Sequence, residues 1–157
     1  KAGRKQKGKM IQGWFWPLYI EADEICFTFS PTRGAQHLEK VLRGFEGVLL
    51  TDGYCAYDSF SKNKPKITQA QCWTHARRYF IKAEAIEPQA VADALEQIGA
   101  LYQVETEIRD QRLDREQALE LRTQQSEPLA DTFVSWCYQQ RSHIDLVITN
   151  PLSKVLS

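Results

Sequence analysis

The hydrophobic periodicity of this chain changes once, near residue 73, and that change limits the folds it can adopt. Between residues 13 and 72 the pattern is mainly that of strands with one helix among them, and beyond residue 73 it is that of helices. A helix that joins two strands favours a parallel crossover between them. We therefore expect an α/β sheet with helices packed on it, followed by an all-helical region.

The predicted elements follow from local periodicity and from turn residues. An aromatic-rich strand over residues 13–20 and a second over 25–29 predict a hairpin around a polar turn, with Pro17 at an edge or a bulge. The next predicted element is an amphipathic helix of about three turns that carries Leu38, Val41, Leu42 and Phe45. The others are strands over 47–51 and 67–72 with a short helical or irregular stretch through 57–60 between them, helices over 75–85, 88–109, 114–125 and 127–141, and a brief extended piece at 146–148.

Composition and length favour a soluble globular protein of 157 residues. No run approaches the roughly 18 apolar residues of a membrane span, and no apolar segment follows the basic N-terminus, so neither membrane insertion nor secretion is indicated. We expect a cytoplasmic protein. The cysteines lack a disulfide-type spacing, which predicts reduced and mostly buried thiols at Cys26, Cys55, Cys72 and Cys137.

Positive charge is concentrated at the N-terminus, although the net charge of the chain is zero. Five basic residues and no acidic residue lie in the first nine positions: Lys1, Arg4, Lys5, Lys7 and Lys9. We predict a basic arm over residues 1–12. It is either a solvated tail or a segment that touches nucleic-acid phosphates.

Asp52 is the first candidate for chemistry because it stands where a predicted strand ends. In α/β sheets, ligands bind at the carboxyl ends of strands, and carboxylate oxygens are the ligands that Mg²⁺ prefers. Two such ions activate an attacking oxygen and stabilise a leaving one in phosphoryl transfer. The other interpretation is structural, because Asp-Gly after a strand is a common turn in which the carboxylate accepts a backbone N–H. The pattern alone leaves both interpretations open.

The second candidate region is the boundary between a strand and a helix at residues 72–80. Arg77 and Arg78 suit phosphate binding because the planar guanidinium bonds phosphate through two N–H groups. His75 either joins them or is a hydrogen-bonded histidine of the first helical turn. Cys72 and His75 form a C-x-x-H pair, but the second pair that a four-coordinate zinc site needs is not visible.

The remaining aromatic and acidic side chains are predicted to be structural. Thr74 is the expected N-cap of the helix that follows, and Glu105 is expected to be a structural or surface glutamate. The side chains predicted to pack inward are Ala76, Tyr79 and Phe80, and the aromatic clusters Trp14-Phe15-Trp16 and Trp136-Cys137-Tyr138.

Several segments, in one order along the chain, resemble the signatures of insertion-sequence-66 family transposases. They are Gly13-Trp14-Phe15-Trp16, Ser30-Pro31-Thr32-Arg33-Gly34-Ala35-Gln36-His37, Thr51-Asp52-Gly53-Tyr54 followed by Tyr57, Cys72-Trp73-Thr74-His75-Ala76-Arg77-Arg78-Tyr79-Phe80, and Ile98-Gly99-Ala100-Leu101-Tyr102-Gln103-Val104-Glu105. The resemblance spans residues 13–105, and agreement of several segments is more specific than any single one.

This resemblance implies a bacterial DNA transposase of the acidic-triad type, with a ribonuclease-H-like core and a helical insertion. In that family two aspartates and a glutamate bind Mg²⁺ or Mn²⁺, and the enzyme nicks the transposon end and joins the 3′-hydroxyl to target DNA. Asp52 matches the second aspartate, so it is the predicted catalytic residue and metal ligand, with His75, Arg77 and Arg78 near the DNA. The implied partners are DNA and further copies of the protein in a homo-oligomer, with no membrane.

The sequence departs from the family pattern at both acidic partners of Asp52. The first aspartate is expected on a strand upstream of a basic link like residues 1–9, and Asp23, in the hairpin turn, does not match it. The glutamate is expected farther downstream, in an Asn-Asn-containing motif. We therefore expect a central fragment that is inactive alone. It comprises the arm, a ribonuclease-H-like mixed sheet over residues 13–86 that lacks its first strand and has an open edge, and a helical insertion over 87–157.

Two other functions are compatible with the residues. One is a non-catalytic DNA-binding or protein-interaction module derived from such a transposase, although the neutral net charge argues against strong nucleic-acid binding by this chain alone. The other is an unrelated α/β hydrolytic enzyme with a metal-bound aspartate.

Overall fold

The structure, a computed structural model, describes residues 12–20, 23–142 and 150–156. The basic arm, apart from Gln12, the extended piece predicted at 146–148 and part of the hairpin turn lie outside these residues. Strands and helices are both present, which confirms the α/β class. The chain divides into a first unit of residues 1–70 and a second unit of residues 71–157.

The first two strands form the predicted hairpin. Strand β1 (Trp14–Tyr19) pairs antiparallel with β2 (Ile25–Ser30), and Phe15 lies opposite Phe29. Since these two strands make a two-stranded sheet, Pro17 lies on an edge strand, as predicted. Gly13 leads into β1 directly beside the ring of Phe29, and a Cβ at that position would overlap the ring. The exposed Phe29 ring would have to turn aside for a side chain at this position.

Strands β3 (Gly47–Thr51) and β4 (Ile67–Gln71) form a second two-stranded sheet, with helix α2 (Cys55–Ser61) between them in sequence. The Gly47 N–H donates to the carbonyl of Lys66 over 2.9 Å. Four residues later on each strand, the Thr51 hydroxyl donates to the carbonyl of Ala70 over 3.5 Å. Because the partners advance together, the strands are parallel, and α2 is their crossover, where the sequence predicts a short helical or irregular stretch. The predicted helix before β3 does not form such a crossover, because β2 and β3 lie in different sheets.

The core of the first unit lies between these strands and their helices. Helix α1 (Ala35–Val41) is shorter than the predicted three turns, because it ends before Leu42 and Phe45. The buried residues of the cluster are Trp16, Leu38, Ala56, Phe60 and Ile67. Residues of β1, β4 and both helices thus share one core, although the described strands form two separate sheets rather than one mixed sheet. The ribonuclease-H-like arrangement stays a prediction.

The second unit is helical, as predicted. Its helices are α3 (Trp73–Ile81), α4 (Pro88–Asp110), α5 (Arg115–Leu121), α6 (Glu127–Arg141) and α7 (Pro151–Val155). Their core contains Phe80, Ala83, Val91, Ala94, Ile98, Phe133 and Leu152. The division of the chain at residue 86 stays a prediction. Within the described part of the chain, no helix is both long enough and apolar enough to span a bilayer.

A π-helical turn, Arg122–Ser126, joins α5 to α6 where the sequence predicts two separate helices. The Glu127 N–H donates to the carbonyl of Arg122, five residues back. Pro128 explains the widening, because its ring crowds the carbonyl four residues before it and it has no N–H to donate. The Arg122 guanidinium also bonds both carboxylate oxygens of Glu105 on α4, each over 2.7 Å. Glu105 is therefore a structural surface residue, as predicted.

Several side-chain predictions are wrong because only one face of an element is covered. Phe15 is exposed, since it lies on the face of the hairpin opposite Trp16. Tyr138 is exposed on the face of α6 away from Phe133, and Tyr79 is exposed beside the buried Phe80, with the Lys82 ammonium 4.8 Å from its ring centre.

The predictions for Thr74 and for the cysteines are corrected as well. The N-cap of α3 is Cys72, because the helix begins one residue before Thr74. The Thr74 hydroxyl instead lies 3.0 Å from the hydroxyl of Tyr102 on α4. The prediction of mostly buried thiols is wrong, since Cys26 and Cys55 are exposed and only Cys72 and Cys137 are half-buried.

Candidate active site

Asp52 directly follows the carboxyl end of β3, and local hydrogen bonds fix the turn that presents it. The Tyr54 N–H donates to Oδ1 of Asp52 over 3.1 Å. Buried Thr51 accepts the Gly53 N–H at its hydroxyl oxygen over 3.4 Å. Gly53 has φ of 81°, in the left-handed region that glycine adopts without a steric cost. The turn predicted for this Asp-Gly pair is therefore present.

The turn leaves Asp52 with capacity to bind something else. The side chain is half-buried, and no hydrogen bond or ion pair among the described residues engages its Oδ2 atom. Oδ1 has a second lone pair in addition to the one facing Tyr54. A structural role in the turn is thus compatible with an additional ligand, so the two interpretations of Asp52 do not exclude each other.

Arg33 lies against the residue that binds Asp52. Its guanidinium carbon is 4.1 Å from the ring centre of Tyr54, a cation–π contact. The loop before Arg33 is held by buried Ser30, whose hydroxyl oxygen accepts the Thr32 N–H over 3.2 Å. The Tyr54 backbone N–H therefore bonds the Asp52 carboxylate, while the Tyr54 ring contacts the Arg33 guanidinium.

The aromatic side chains beneath this arrangement are packed together. The rings of Tyr54 and Tyr57 lie 6.4 Å and 5.8 Å from that of Trp16, which is buried. Burial raises the pKa of Tyr57, the negative charge of Asp52 raises it further, and the positive charge of Arg33 opposes both. The Tyr57 phenol therefore stays protonated at neutral pH and retains a proton to donate.

The basic candidates of the second unit lie on α3. Arg77 and Arg78 are exposed, whereas His75 is half-buried in the first turn. His75 and Arg78 are three residues apart and share a face, while Arg77 projects about 100° farther round the helix. No ion pair among the described residues includes either arginine, so both guanidinium groups keep their donors for another partner.

His75 also interacts with Cys72 at the start of α3. Burial alone would raise the pKa of the Cys72 thiol, but hydrogen bonds from the side chains and backbone of His75 and Thr74 lower it to about 7. A thiolate at a helix N-terminus is further favoured by the helix dipole. Both interpretations of His75 stay open, because its Nδ1 atom is buried with no hydrogen-bond partner among the described residues. Its predicted role at DNA stays a prediction.

A comparison with known protein families shows which family the chain belongs to. The model of the family described as Transposase IS66 matches residues 1–156. The chain belongs to the IS66 transposase family. The resemblance inferred from the sequence is confirmed.

Relatives of this IS66 chain occur in Sinorhizobium fredii (strain NBRC 101917 / NGR234). The uncharacterised protein y4qI is 31% identical over 146 residues, which cover 82% of this chain and 26% of the relative. The uncharacterised protein y4jD is 37% identical over 108 residues, which cover 63% of this chain and 21% of the relative. The chain thus spans about a quarter of the length of these relatives. No solved structure matches it.

Asp52 does not belong to a complete metal site among the described residues of this IS66 chain. Within residues 12–20, 23–142 and 150–156, no group of three or more His, Cys, Asp or Glu side chains is arranged to hold a metal ion. The oxygen donor of Asp52 suits Mg²⁺ or Mn²⁺.

Arg33 is the residue that sequence reasoning did not single out. It belongs to the Ser-Pro-Thr-Arg-Gly segment, and nothing in the periodicity distinguishes it from other exposed arginines. The signal available in the IS66 sequence is its place in a Pro- and Gly-containing loop between β2 and α1. Loops on a rigid scaffold commonly carry binding residues.

Proposed function

We propose that this chain is the Asp52-bearing central part of a DNA transposase that performs metal-dependent strand cleavage and strand transfer of an insertion sequence. Membership of the IS66 family gives the class of protein. The observation that carries the assignment of Asp52 is its geometry. A carboxylate at the carboxyl end of a parallel strand is held by one backbone N–H and keeps an oxygen for another ligand.

The proposal includes a ribonuclease-H-like core and Mg²⁺ or Mn²⁺ as the cofactor. Asp52 would hold the metal, which when bound supplies activation of the attacking oxygen and stabilisation of the leaving one. Two further acidic residues would come from parts of the protein outside residues 1–157. His75, Arg77 and Arg78 would contact the DNA backbone through charge-assisted hydrogen bonds. A homo-oligomeric assembly on DNA and a cytoplasmic location belong to the same proposal.

A binding-only role is the second candidate, and one observation favours it for this part of the protein. Among the described residues Asp52 has no acidic cluster around it. A derived module that docks DNA without cutting it would use the exposed arginines of α3 and would not need Asp52 at all. Strand transfer therefore requires the Asp52 carboxylate, whereas DNA binding alone does not.

The test compares strand transfer by the full-length protein with that of D52A and D52N, using a duplex from the end of the element that carries the gene and Mn²⁺ as the metal. Because the metal contributes several kcal/mol to the transition state, we expect both variants to lose at least about a thousandfold in activity. D58A is the matched control. Asp58 is an exposed carboxylate on α2 that accepts a hydrogen bond from Gln69 over 2.7 Å.

D58A is expected to keep its activity, and all variants to keep their affinity for the duplex within a small factor. Unchanged strand transfer by D52A would remove Asp52 from the chemistry. Binding of the duplex without strand transfer by the unaltered full-length protein would favour the binding-only role.

A further inference from the structure

Two opposite charges are anchored on Tyr54 without forming an ion pair with each other. The Asp52 carboxylate accepts the backbone N–H of this residue, and the Arg33 guanidinium lies over its ring. Within the described part of the chain, the ion pairs join other residues, so neither of these groups is neutralised by an oppositely charged side chain. A cation and an anion are thus held on the same tyrosine, each with hydrogen-bonding capacity left for another ligand.

The position of Arg33 is set before any ligand arrives. Its guanidinium rests on a ring that itself packs on buried Trp16, and its loop is tied to buried Ser30. Stacking on an aromatic face uses the π surface of the guanidinium and leaves its in-plane N–H donors available. Arg33 is exposed, so a ligand can reach those donors from solvent.

The ligand that suits this arrangement is an oxyanion. Planar guanidinium donors match the paired oxygens of a phosphate, and such charge-assisted bonds are among the strong hydrogen bonds of proteins. The protonated Tyr57 phenol, which lies within electrostatic range of both charged groups, can donate to the same anion. The nearby carboxylate repels a bare anion, so the site favours one whose charge is shared with a cation at Asp52.

We propose that Arg33, stacked on Tyr54, binds a backbone phosphate of the DNA beside Asp52. This inference rests on the proposed function, because it takes the DNA strand at Asp52 as the source of the phosphate. Arg33 then fixes where the strand lies relative to the carboxylate. Tyr54 acts as a positioning residue, which holds Asp52 through its N–H and Arg33 through its ring.

The experiment measures binding of the full-length protein to a fluorescent duplex from the end of the element, and to a scrambled duplex of equal length, over a range of salt concentrations. Three variants separate charge from packing. R33Q keeps a long side chain without charge, R33K keeps the charge without the planar fork, and R43A is the matched control. Arg43 is also exposed and follows the other end of α1.

R33Q is expected to weaken binding about tenfold for both duplexes, because a phosphate contact carries no sequence information. It should lower the slope of log affinity against log salt by about 1, which is the signature of one lost phosphate contact. R33K should keep the slope but lose part of the affinity. R43A should resemble the unaltered protein in both respects.

An unchanged slope and affinity for R33Q would overturn the inference. So would equal losses for R33Q and R43A, which would indicate a general effect of surface charge. The thermal midpoint of each variant is measured in the same buffers to show whether its fold is retained. If R33Q is unfolded, the decision rests on R33K: an affinity equal to that of the unaltered protein would overturn the inference. Strand transfer that survives D52A would contradict the proposed function. The slope of log affinity against log salt would still decide whether Arg33 contacts a phosphate.

Discussion

Two half-buried thiols of this protein have opposite chemical character because their neighbours differ. The pKa of Cys72 is lowered to about 7 by hydrogen bonds from His75 and Thr74, against the effect of burial. The pKa of Cys137 is raised to about 11 by burial alone. Since the thiolate is the nucleophile, the two cysteines should differ in reactivity although both residues are only partly exposed.

At about pH 7.5, Cys72 is expected to react with iodoacetamide at least about tenfold faster than Cys137 in the folded protein, because most of Cys72 and almost none of Cys137 is thiolate, which outweighs the lower intrinsic nucleophilicity of the Cys72 thiolate. Its rate should fall roughly fivefold from about pH 7 to pH 6 as the thiolate is protonated. Peptide mass spectrometry after timed quenching measures both rates. H75A should slow the reaction of Cys72 at neutral pH and leave Cys137 unchanged, and equal rates for the two thiols would contradict the assignment.

Single residues also show what the sequence can and cannot predict. The place of Asp52 follows from local pattern, because a short apolar run ends at an Asp-Gly turn. The position of Arg33 against Tyr54 does not follow from local pattern, because the two residues lie 21 positions apart in the chain. Such contacts depend on how the hairpin, α1 and α2 pack. Periodicity does not report this packing.

At the scale of elements, the start of α5 is the best-defined helix end in the described chain. Asp114 accepts the N–H groups of Glu116 and Gln117 over 3.0 and 2.9 Å, and the Gln117 side chain accepts the Asp114 N–H over 3.2 Å. This reciprocal pair is a capping box. The helix therefore starts at Asp114, as the sequence predicts.

D114A is expected to lower the free energy of unfolding by about 1 kcal/mol, because two N–H groups of the first turn lose their acceptor. Urea titration followed by circular dichroism measures the change. D131A is the matched control, since Asp131 is exposed within α6 and caps nothing, and alanine is the better helix former there. A cost for D131A equal to that for D114A would show that the effect is not one of capping.

The elements that sequence predicts well are those whose signals are local. Pro88 at the start of α4 marks that boundary directly. The π-helical turn before α6 was not predicted, because Pro128 reads equally well as the start of a new helix. Pairing of strands is also beyond local pattern. The hairpin has a short turn and was predicted, whereas the separation of the four strands into two sheets depends on contacts between distant segments.

At the scale of the whole molecule, the first unit presents an apolar sheet face that no described residue covers. The exposed side chains on this face of the hairpin are Phe15, Pro17, Tyr19, Ile25, Phe27 and Phe29. The apolar residues of the hairpin strands alternate little with polar ones, which is typical of strands buried on both faces. In the structure only one face of the hairpin is buried. Apolar patches of this kind mark interaction surfaces or promote association.

The double variant I25T/F27T is expected to reduce binding of an apolar dye and self-association of the chain, while changing the free energy of unfolding by less than about 1 kcal/mol. The reason is that Ile25 and Phe27 are 56% and 66% exposed, so their removal opens no cavity, and threonine favours strands. L38T is the contrast, because Leu38 is 1% exposed and its loss should cost about 2–5 kcal/mol. Dye fluorescence, sedimentation and urea titration give the three readings. If I25T/F27T destabilised the chain as much as L38T, the face would have to be covered in solution, and association through it would then stabilise the fold.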